Sequence, residues 1–559
     1  MPLWLLARRA SPLKSRWVEV RLDPRPVEID GSVPPLQRLL QRRAGNRLRS
    51  IVDLRRLFDL LAADARVDGV VIHVPHLHCG FATCQSLRGV LSSLRARGKR
   101  VVAYLPLGGG NRELYVALAA DRVLTPPQAS ISLLGAASQS LYFKPLLDRI
   151  GVRAEVLAHG EYKTAAEPVL RDAMSEPQRE QISALLDVVQ RELEQAVAAR
   201  PDFDAVRVRA LFDHGIWAAE AAVETGLIDG CCYEDQLPGE LAKGAAAQGP
   251  PVRHRQYLAW RRARVWQPVR GLPQIAVVRV HGAITQSAPR LPTSRVATFD
   301  AVAAALRRAR TNSRVHGVLL DVDSPGGSAL ASDLIHREIV LLREKKPVVA
   351  FLGDVAASGG YYVAAPCSRI VAQPTTMTGS IGVVSLRMVI SQLADRIGIR
   401  PQTTRAAPHA DLHSPFRGLQ DDERAMLWAE TETIYRTFVR IVAEGRQRAP
   451  EDIEHLARGR VWAGADALRH GLVDELGGFD RAIVLLRELA PGLRHLGDGE
   501  IEVSVLSPGR GEPPAAAAPT QPASWLHWTH GLPSEIGDVL SLFAEGERAL
   551  YYSTRPEIW

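Results

Sequence analysis

Two serines and one lysine, each set among small residues, are the groups in this chain whose types and surroundings suit chemistry. Ser358 stands in Gly353-Asp-Val-Ala-Ala-Ser-Gly-Gly-Tyr-Tyr362, Ser380 in Thr378-Gly-Ser-Ile-Gly382, and Lys163 in Gly160-Glu-Tyr-Lys-Thr-Ala-Ala-Glu-Pro168. An apolar β-type run from Val348 precedes Ser358 and a helix-forming run from Gly359 to Ala365 follows it, which predicts a hydroxyl presented at a strand-to-helix junction. Free N–H groups at the start of the following helix favour a developing negative charge. Ala356 takes the first glycine position of a Gly-x-Ser-x-Gly elbow, so an α/β-hydrolase reading loses its main support. A lone Ala-Ser-Gly-Gly would otherwise read as a helix N-cap. A second glycine loop, Asp323-Ser-Pro-Gly326-Gly327-Ser328, follows a buried-strand pattern, and its paired glycines can aim backbone N–H groups into the same crevice as Ser358.

The elements that must position these groups occur twice. The first copy runs from an apolar strand pattern at Trp17–Leu22 through a helix from about Ser50 to Ala63, with Ile51, Leu54, Leu57, Phe58 and Leu61 on one face. Strand patterns at Val67–Val74 and Val101–Leu105 and a helix around Leu114–Ala120 complete it; the same order restarts at Ile275 and passes through Thr298–Arg308, Val315–Val322 and Val348–Leu352. Val101 and Val348 differ by 247 positions, as do Asp148-Arg-Ile-Gly151 and Asp395-Arg-Ile-Gly398. Strands alternating with helices at this spacing predict parallel βα units in layers, with ligands at the carboxyl ends of the strands.

The copies have lost complementary pieces. In the 247-residue register Asn111 stands opposite Ser358, Leu133 opposite Ser380, and Lys163 opposite Ala410. A nucleophile and a base are thereby divided between the halves. Lysine is a useful base only when desolvated, since moving its pKa from about 10.4 to the 7–8 range costs on the order of 3–5 kcal/mol. Ser380 can orient the amine by hydrogen bonding. A competing set, His409 and His413 with Asp411, could imitate a Ser-His-Asp triad, but its Pro-flanked, polar setting reads as a surface loop.

Composition sets the wider limits. At 559 residues and 46% hydrophobic the chain can bury large cores, and the excess of 69 basic over 61 acidic residues is small and dispersed, which argues against nucleic acid as a partner. Five cysteines show neither a paired framework nor zinc spacing and read as free thiols; no metal or cofactor is called for. No run reaches the roughly 18 apolar residues of a membrane span, so a cytoplasmic or peripheral-membrane location is expected. The expected divisions are an N-terminal extension (1–48), a first repeat carrying the lysine (49–236), a linker (237–273), a second repeat carrying the serine (274–491), and a Pro/Ala spacer with an amphipathic tail (492–559). The tail has a helix pattern capped by Ser534 and could dock on its own body, a neighbour or a membrane surface.

Across residues 50 to 490 these motifs resemble the signal peptide peptidase A family of the long, tandem-repeat kind. The resemblance implies a Clp-protease/crotonase-like α/β fold and a Ser/Lys dyad with Ser358 as nucleophile and Lys163 as general base. It implies Ser380 as the lysine's partner and an oxyanion site from the backbone of Gly359 and the Gly326-Gly327 loop. It also implies a homotetrameric ring that cleaves signal-peptide remnants and other short unfolded chains. The long bacterial form carries an N-terminal membrane anchor, and the expectation from this sequence departs from that pattern. Two alternatives from other classes are an inactive, ring-forming peptide-binding scaffold and acyl-CoA chemistry on the same fold.

Overall fold

Unbroken aliphatic runs make strands that are buried on both faces, and such strands build parallel sheets. A computed structural model of the chain, describing residues 15–30, 47–243, 249–262, 272–287, 296–497, 501–506 and the backbone of 550–552, contains one such sheet in each repeat. The first orders Val252–Arg253, Trp17–Val27, Gly69–His73, Arg100–Tyr104, Arg122–Thr125 and Gly230–Cys231, all parallel, with Arg47–Ser50 also paired to Trp17–Val27. The second orders Val461–Ala463, Met377–Gly379, Val348–Ala357, Val315–Ser324, Gln274–His281 and Glu502–Val505. It is parallel except where Met377–Gly379 meets Val461–Ala463, and Arg369–Ala372 pairs with the first half of Val348–Ala357. This is the mixed α/β, tandem parallel-sheet architecture expected from the sequence.

Helices pack their apolar stripes on these sheets. Ile51–Ala62 buries Leu54, Leu57, Phe58 and Leu61, and the Ser50 hydroxyl caps it by accepting the Asp53 N–H at 3.1 Å. Its counterpart Phe299–Thr311 is capped in the same way by Thr298.

Three of the expected boundaries move. The span 1–48 is not merely an extension, because Trp17–Val27 is an interior strand of the first sheet; the prolines at 24 and 26 fall beyond its pairing with Gly69–His73, at the register break in its pairing with Arg47–Ser50. The linker 237–273 contributes Val252–Arg253 to that sheet, and Tyr257 of the helix His254–Arg262 is buried in the first core. Glu502–Val505, beyond the expected end of the second repeat, pairs with Gln274–His281. The tail helix pattern at Ser534 lies outside the described residues.

The repeats are also stitched to each other. Arg153–His159 of the first runs antiparallel along Val383–Val389 of the second over seven residue pairs, from Arg153 opposite Val389 to His159 opposite Val383. Elsewhere Asp354 of the second repeat accepts the Gly80 N–H (2.8 Å), the Thr83 N–H (2.9 Å) and the Thr83 hydroxyl (3.0 Å), capping the first repeat's helix Phe81–Ala96 from across the boundary. Gly80 leaves the room: a Cβ there would sit 2.4 Å from Asp354 Cγ. Among the described residues no helix is long and apolar enough to cross a membrane.

Candidate active site

Ser358 sits where the strand Val348–Ala357 ends and the short helix Gly359–Ala364 begins, with φ 55° and ψ −119°. A non-glycine residue is rarely held there, and such strain gathers at functional positions. Its N–H donates to the Gly379 carbonyl at 2.8 Å, which fixes the turn, and the residue is fully buried. Its hydroxyl makes no capping bond to the helix. The N-cap alternative therefore fails, and the side chain is turned instead toward the other repeat.

What it meets is Lys163. The strand Arg153–His159 carries the chain across to the second repeat, and four residues on, Lys163 Nζ lies 2.7 Å from Ser358 Oγ, 3.0 Å from Ser380 Oγ and 3.0 Å from the Ser380 carbonyl oxygen. The lysine is buried, with desolvation the only cause acting on it, and its pKa falls well below the ordinary lysine value. A neutral amine has two N–H donors and one lone pair. The Ser380 carbonyl can only accept, so donating to the two Ser380 oxygens uses both N–H groups and leaves the lone pair for the Ser358 O–H. Ser380, at φ 52°, is itself held in the left-handed region, and its N–H donates to the Arg460 carbonyl at 2.7 Å.

The glycine loop closes on the same point. Gly326 and Gly327 have φ of 104° and 155°, and a Cβ on Gly359 would lie 3.2 Å from Gly326 Cα and 3.3 Å from Gly327 N, so the two backbones touch. Gly326 N–H donates to Ser324 Oγ at 3.2 Å, which commits that amide locally.

The first repeat's equivalent position is structural. Asn111, opposite Ser358, begins the helix Asn111–Ala117; its side chain donates to the Gly135 carbonyl (2.7 Å) and accepts the Leu134 and Gly135 N–H groups (3.1 and 3.2 Å). Ala410, opposite Lys163, lies in an exposed turn. The histidine set does not assemble a triad: Asp411 is held by Arg405 and Arg417, and His409 faces Asp422 and Glu423 at 3.8 and 3.6 Å.

Sequence reasoning missed the groups that hold the lysine. Arg458 and Gly459 are consecutive left-handed residues (φ 53° and 79°), and their loop lies on the lysine backbone. The Arg458 carbonyl accepts the Tyr162 N–H (2.9 Å), and Gly459 N–H donates to the Ile381 carbonyl (2.8 Å). Gln181 joins both repeats, donating to Thr164 Oγ1 (2.8 Å) and accepting the Val461 N–H (3.1 Å). A glycine between arginines was the one signal, and it reads as an ordinary loop. One set of metal-type donors comes together elsewhere in the described residues, Glu19, His73 and Glu234, and Arg21 is ion-paired to both of its carboxylates.

A desolvated amine beside a strained, buried serine, brought together from two α/β repeats, is an arrangement suited to activating the serine hydroxyl. Comparison with known proteins identifies the group more closely: the chain belongs to peptidase family S49, whose family model matches residues 93–248 and 341–491, one segment in each repeat. The chain is 32% identical to the chloroplastic serine protease SPPA of Arabidopsis thaliana over 79% of its own length and 66% of that protein's, about two thirds. It is also 32% identical to protease 4 of Salmonella typhi, over 78% of this chain and 72% of that one. Among solved structures, a point mutant of ClpP1 from Listeria monocytogenes overlaps 37% of this chain and 94% of its own, with 16% identity and a TM-score of 0.24.

Proposed function

We propose that this peptidase is a serine endopeptidase working through a Ser/Lys dyad, with signal-peptide remnants and other short unfolded chains as substrates. The observation that carries the reading is the 2.7 Å approach of the buried Lys163 amine, whose pKa desolvation lowers, to the Ser358 hydroxyl. The names of the relatives, a serine protease and protease 4, support it.

In this reading the Lys163 lone pair takes the hydroxyl proton as Ser358 Oγ bonds to the peptide carbonyl carbon. The carbonyl electrons move to oxygen, where backbone N–H groups of Gly359 and of the Gly326–Gly327 loop stand as the donors. Each such donor is worth roughly 2.7–4 kcal/mol at the transition state. The ammonium of Lys163 then returns its proton to the leaving amine as the C–N bond breaks, and an acyl-enzyme remains. Water attacks the ester with Lys163 again as base, and Ser358 is regenerated. Ser380 holds the amine in both steps without itself changing charge.

The test compares wild type with Ser358→Ala and Lys163→Ala on a short unfolded peptide, with labelling by a serine-reactive phosphonate. Expected are loss of the adduct in the first variant and a fall in kcat of roughly 10⁴-fold or more in both. Full turnover in Lys163→Ala would refute the dyad, and absence of any Ser358-dependent adduct would make the protein a peptide-binding scaffold.

A further inference from the structure

Away from the dyad, the two repeats enclose a cavity of about 140 Å³. Ile51, Val52 and Val90 of the first repeat and Phe479, Ile483 and Val484 of the second form its apolar wall, and neither Ser358, Lys163 nor Ser380 lines it. The seam around it is packed: Val52 and Phe479 are buried in one core, and Gln373 Nε2 donates to Ser86 Oγ across the boundary at 3.0 Å. Val484, 39% exposed, gives the cavity a side open to solvent. An apolar cavity of this size takes a benzene-sized ring.

One polar atom of the lining is unsatisfied. Glu28 Oε2 is buried and, among the described residues, has no hydrogen-bond partner. The other charged groups of the lining have partners: Arg55 pairs with Asp480 at 2.6 Å, Arg56 with Asp53 at 3.7 Å and Asp59 with Arg97 at 2.6 Å, and Arg487 donates to the Leu496 carbonyl. A buried carboxyl oxygen without a partner carries a desolvation cost that a bound donor recovers. Burial pushes the Glu28 pKa up to about 8; the Ser86 hydrogen bond works against the rise, and the carboxylates of Asp321, Asp354 and Asp480 add to it. Carboxylates close enough to repel Glu28 also favour a cation placed beside it.

We propose that this cavity binds a small primary amine with an apolar body, the ammonium donating to Glu28 Oε2 and a ring or short alkyl chain resting on the surrounding Ile, Val and Phe side chains. Glu28 is mostly a carboxylic acid at neutral pH. As the ammonium enters, that proton passes to solvent and the carboxylate becomes the counter-ion. An apolar anion would be repelled by the acidic surroundings, and an alcohol would gain only a neutral hydrogen bond. The site uses neither Ser358 nor Lys163, so it stands or falls separately from the dyad.

Benzylamine is the probe and benzyl alcohol its neutral match, each titrated calorimetrically into the full chain at pH 7 in two buffers of different ionisation heat. A charge-assisted hydrogen bond is about twice as strong as a neutral one, so the amine should bind about ten-fold tighter than the alcohol and release about one proton per molecule bound. Glu28→Gln keeps the shape and removes the charge; it should bring the amine to the alcohol's affinity and abolish the proton release. Val484→Phe narrows the open side with Glu28 intact and should weaken both probes alike. Absence of saturable benzylamine binding, or equal affinity for the two probes in wild type, would overturn the proposal. So would an amine preference that survives Glu28→Gln, or binding indifferent to Val484→Phe. The wild-type comparison holds even where a variant fails to fold.

Discussion

Gly459 offers a sharp test of how Lys163 is held. A Cβ added there would lie 2.5 Å from Lys163 N, 2.6 Å from its Cβ and 2.7 Å from its Cα. Restoring ordinary contact at about 3.5 Å requires a separation of about 1 Å. Moving the loop instead of the lysine gives no escape, because the loop is tied to Ser380 through the Arg460 carbonyl, to Ile381 through Gly459 N–H and to Tyr162 through the Arg458 carbonyl. Either shift opens the amine–hydroxyl geometry. A misplacement of this size costs about 10²-fold in rate, so Gly459→Ala should lower kcat about 100-fold on a short peptide, with KM changed far less. The substitution also meets a left-handed backbone, worth about 1–2 kcal/mol of stability. Gly398→Ala is the matched control: φ is 79° at both positions, but a Cβ on Gly398 meets nothing within 4 Å. Equal kcat in the two variants, measured where both are fully folded, would refute the argument that this loop sets the position of the lysine.

Two further outcomes follow from buried charge. Because the Lys163 pKa is lowered in the folded protein, the unfolded chain binds more protons between that value and about 10.4, and stability from this group rises with pH across the interval. Lys163→Met removes the dependence, so its stability relative to wild type should be most favourable at or below neutral pH. The difference should shrink by roughly 1.4 kcal/mol for each pH unit climbed within that window. Urea unfolding at pH 7 and pH 10 checks this, and the constant loss of the serine hydrogen bonds cancels between the two; a difference independent of pH would mean the lysine is not desolvated. Asp354→Ala strips three acceptor contacts from the start of the helix Phe81–Ala96 and should destabilise the chain by about 1–3 kcal/mol, read as a lower urea midpoint.

The parts of the molecule built from local pattern were legible in the sequence. Both sheets and the covering helices Ile51–Ala62 and Phe299–Thr311 follow from apolar periodicity. Subtraction of the repeats located Ser358, Ser380 and Lys163 because each stands where its counterpart lacks the chemistry. What was not legible depends on partners far apart in the chain. Arg153–His159 reads as a strand by composition, but its partner lies about 230 residues away, and the repeat register maps it onto the irregular stretch 400–406. The apolar pattern at Trp17–Leu22 reads as a strand, but its continuation to Val27 through Pro24 and Pro26 shows only in the pairing with Arg47–Ser50. Of the Arg458–Gly459 backbone the sequence shows only a glycine between arginines, which any loop could carry.

The pairing of Arg153–His159 with Val383–Val389 is what converts two half-sites into one. Side chains alternate along a strand, so a slip of one residue would turn every side chain of the pair to the opposite face. A slip of two would carry Lys163 about 7 Å along the strand direction, far beyond reach of Ser358. The register therefore has to be fixed at both ends, and it is. Before the strand, Gly151 (φ 80°) accepts the Leu393 N–H at 2.9 Å, and a Cβ on it would lie 2.8 Å from Leu393 N. After it, Gly160 (φ 108°) lies against Arg458, where a Cβ would come within 2.3 Å of the Arg458 carbonyl carbon. Two close backbone approaches, each open only to glycine, leave one register available, and in that register the amine of one repeat meets the hydroxyl of the other.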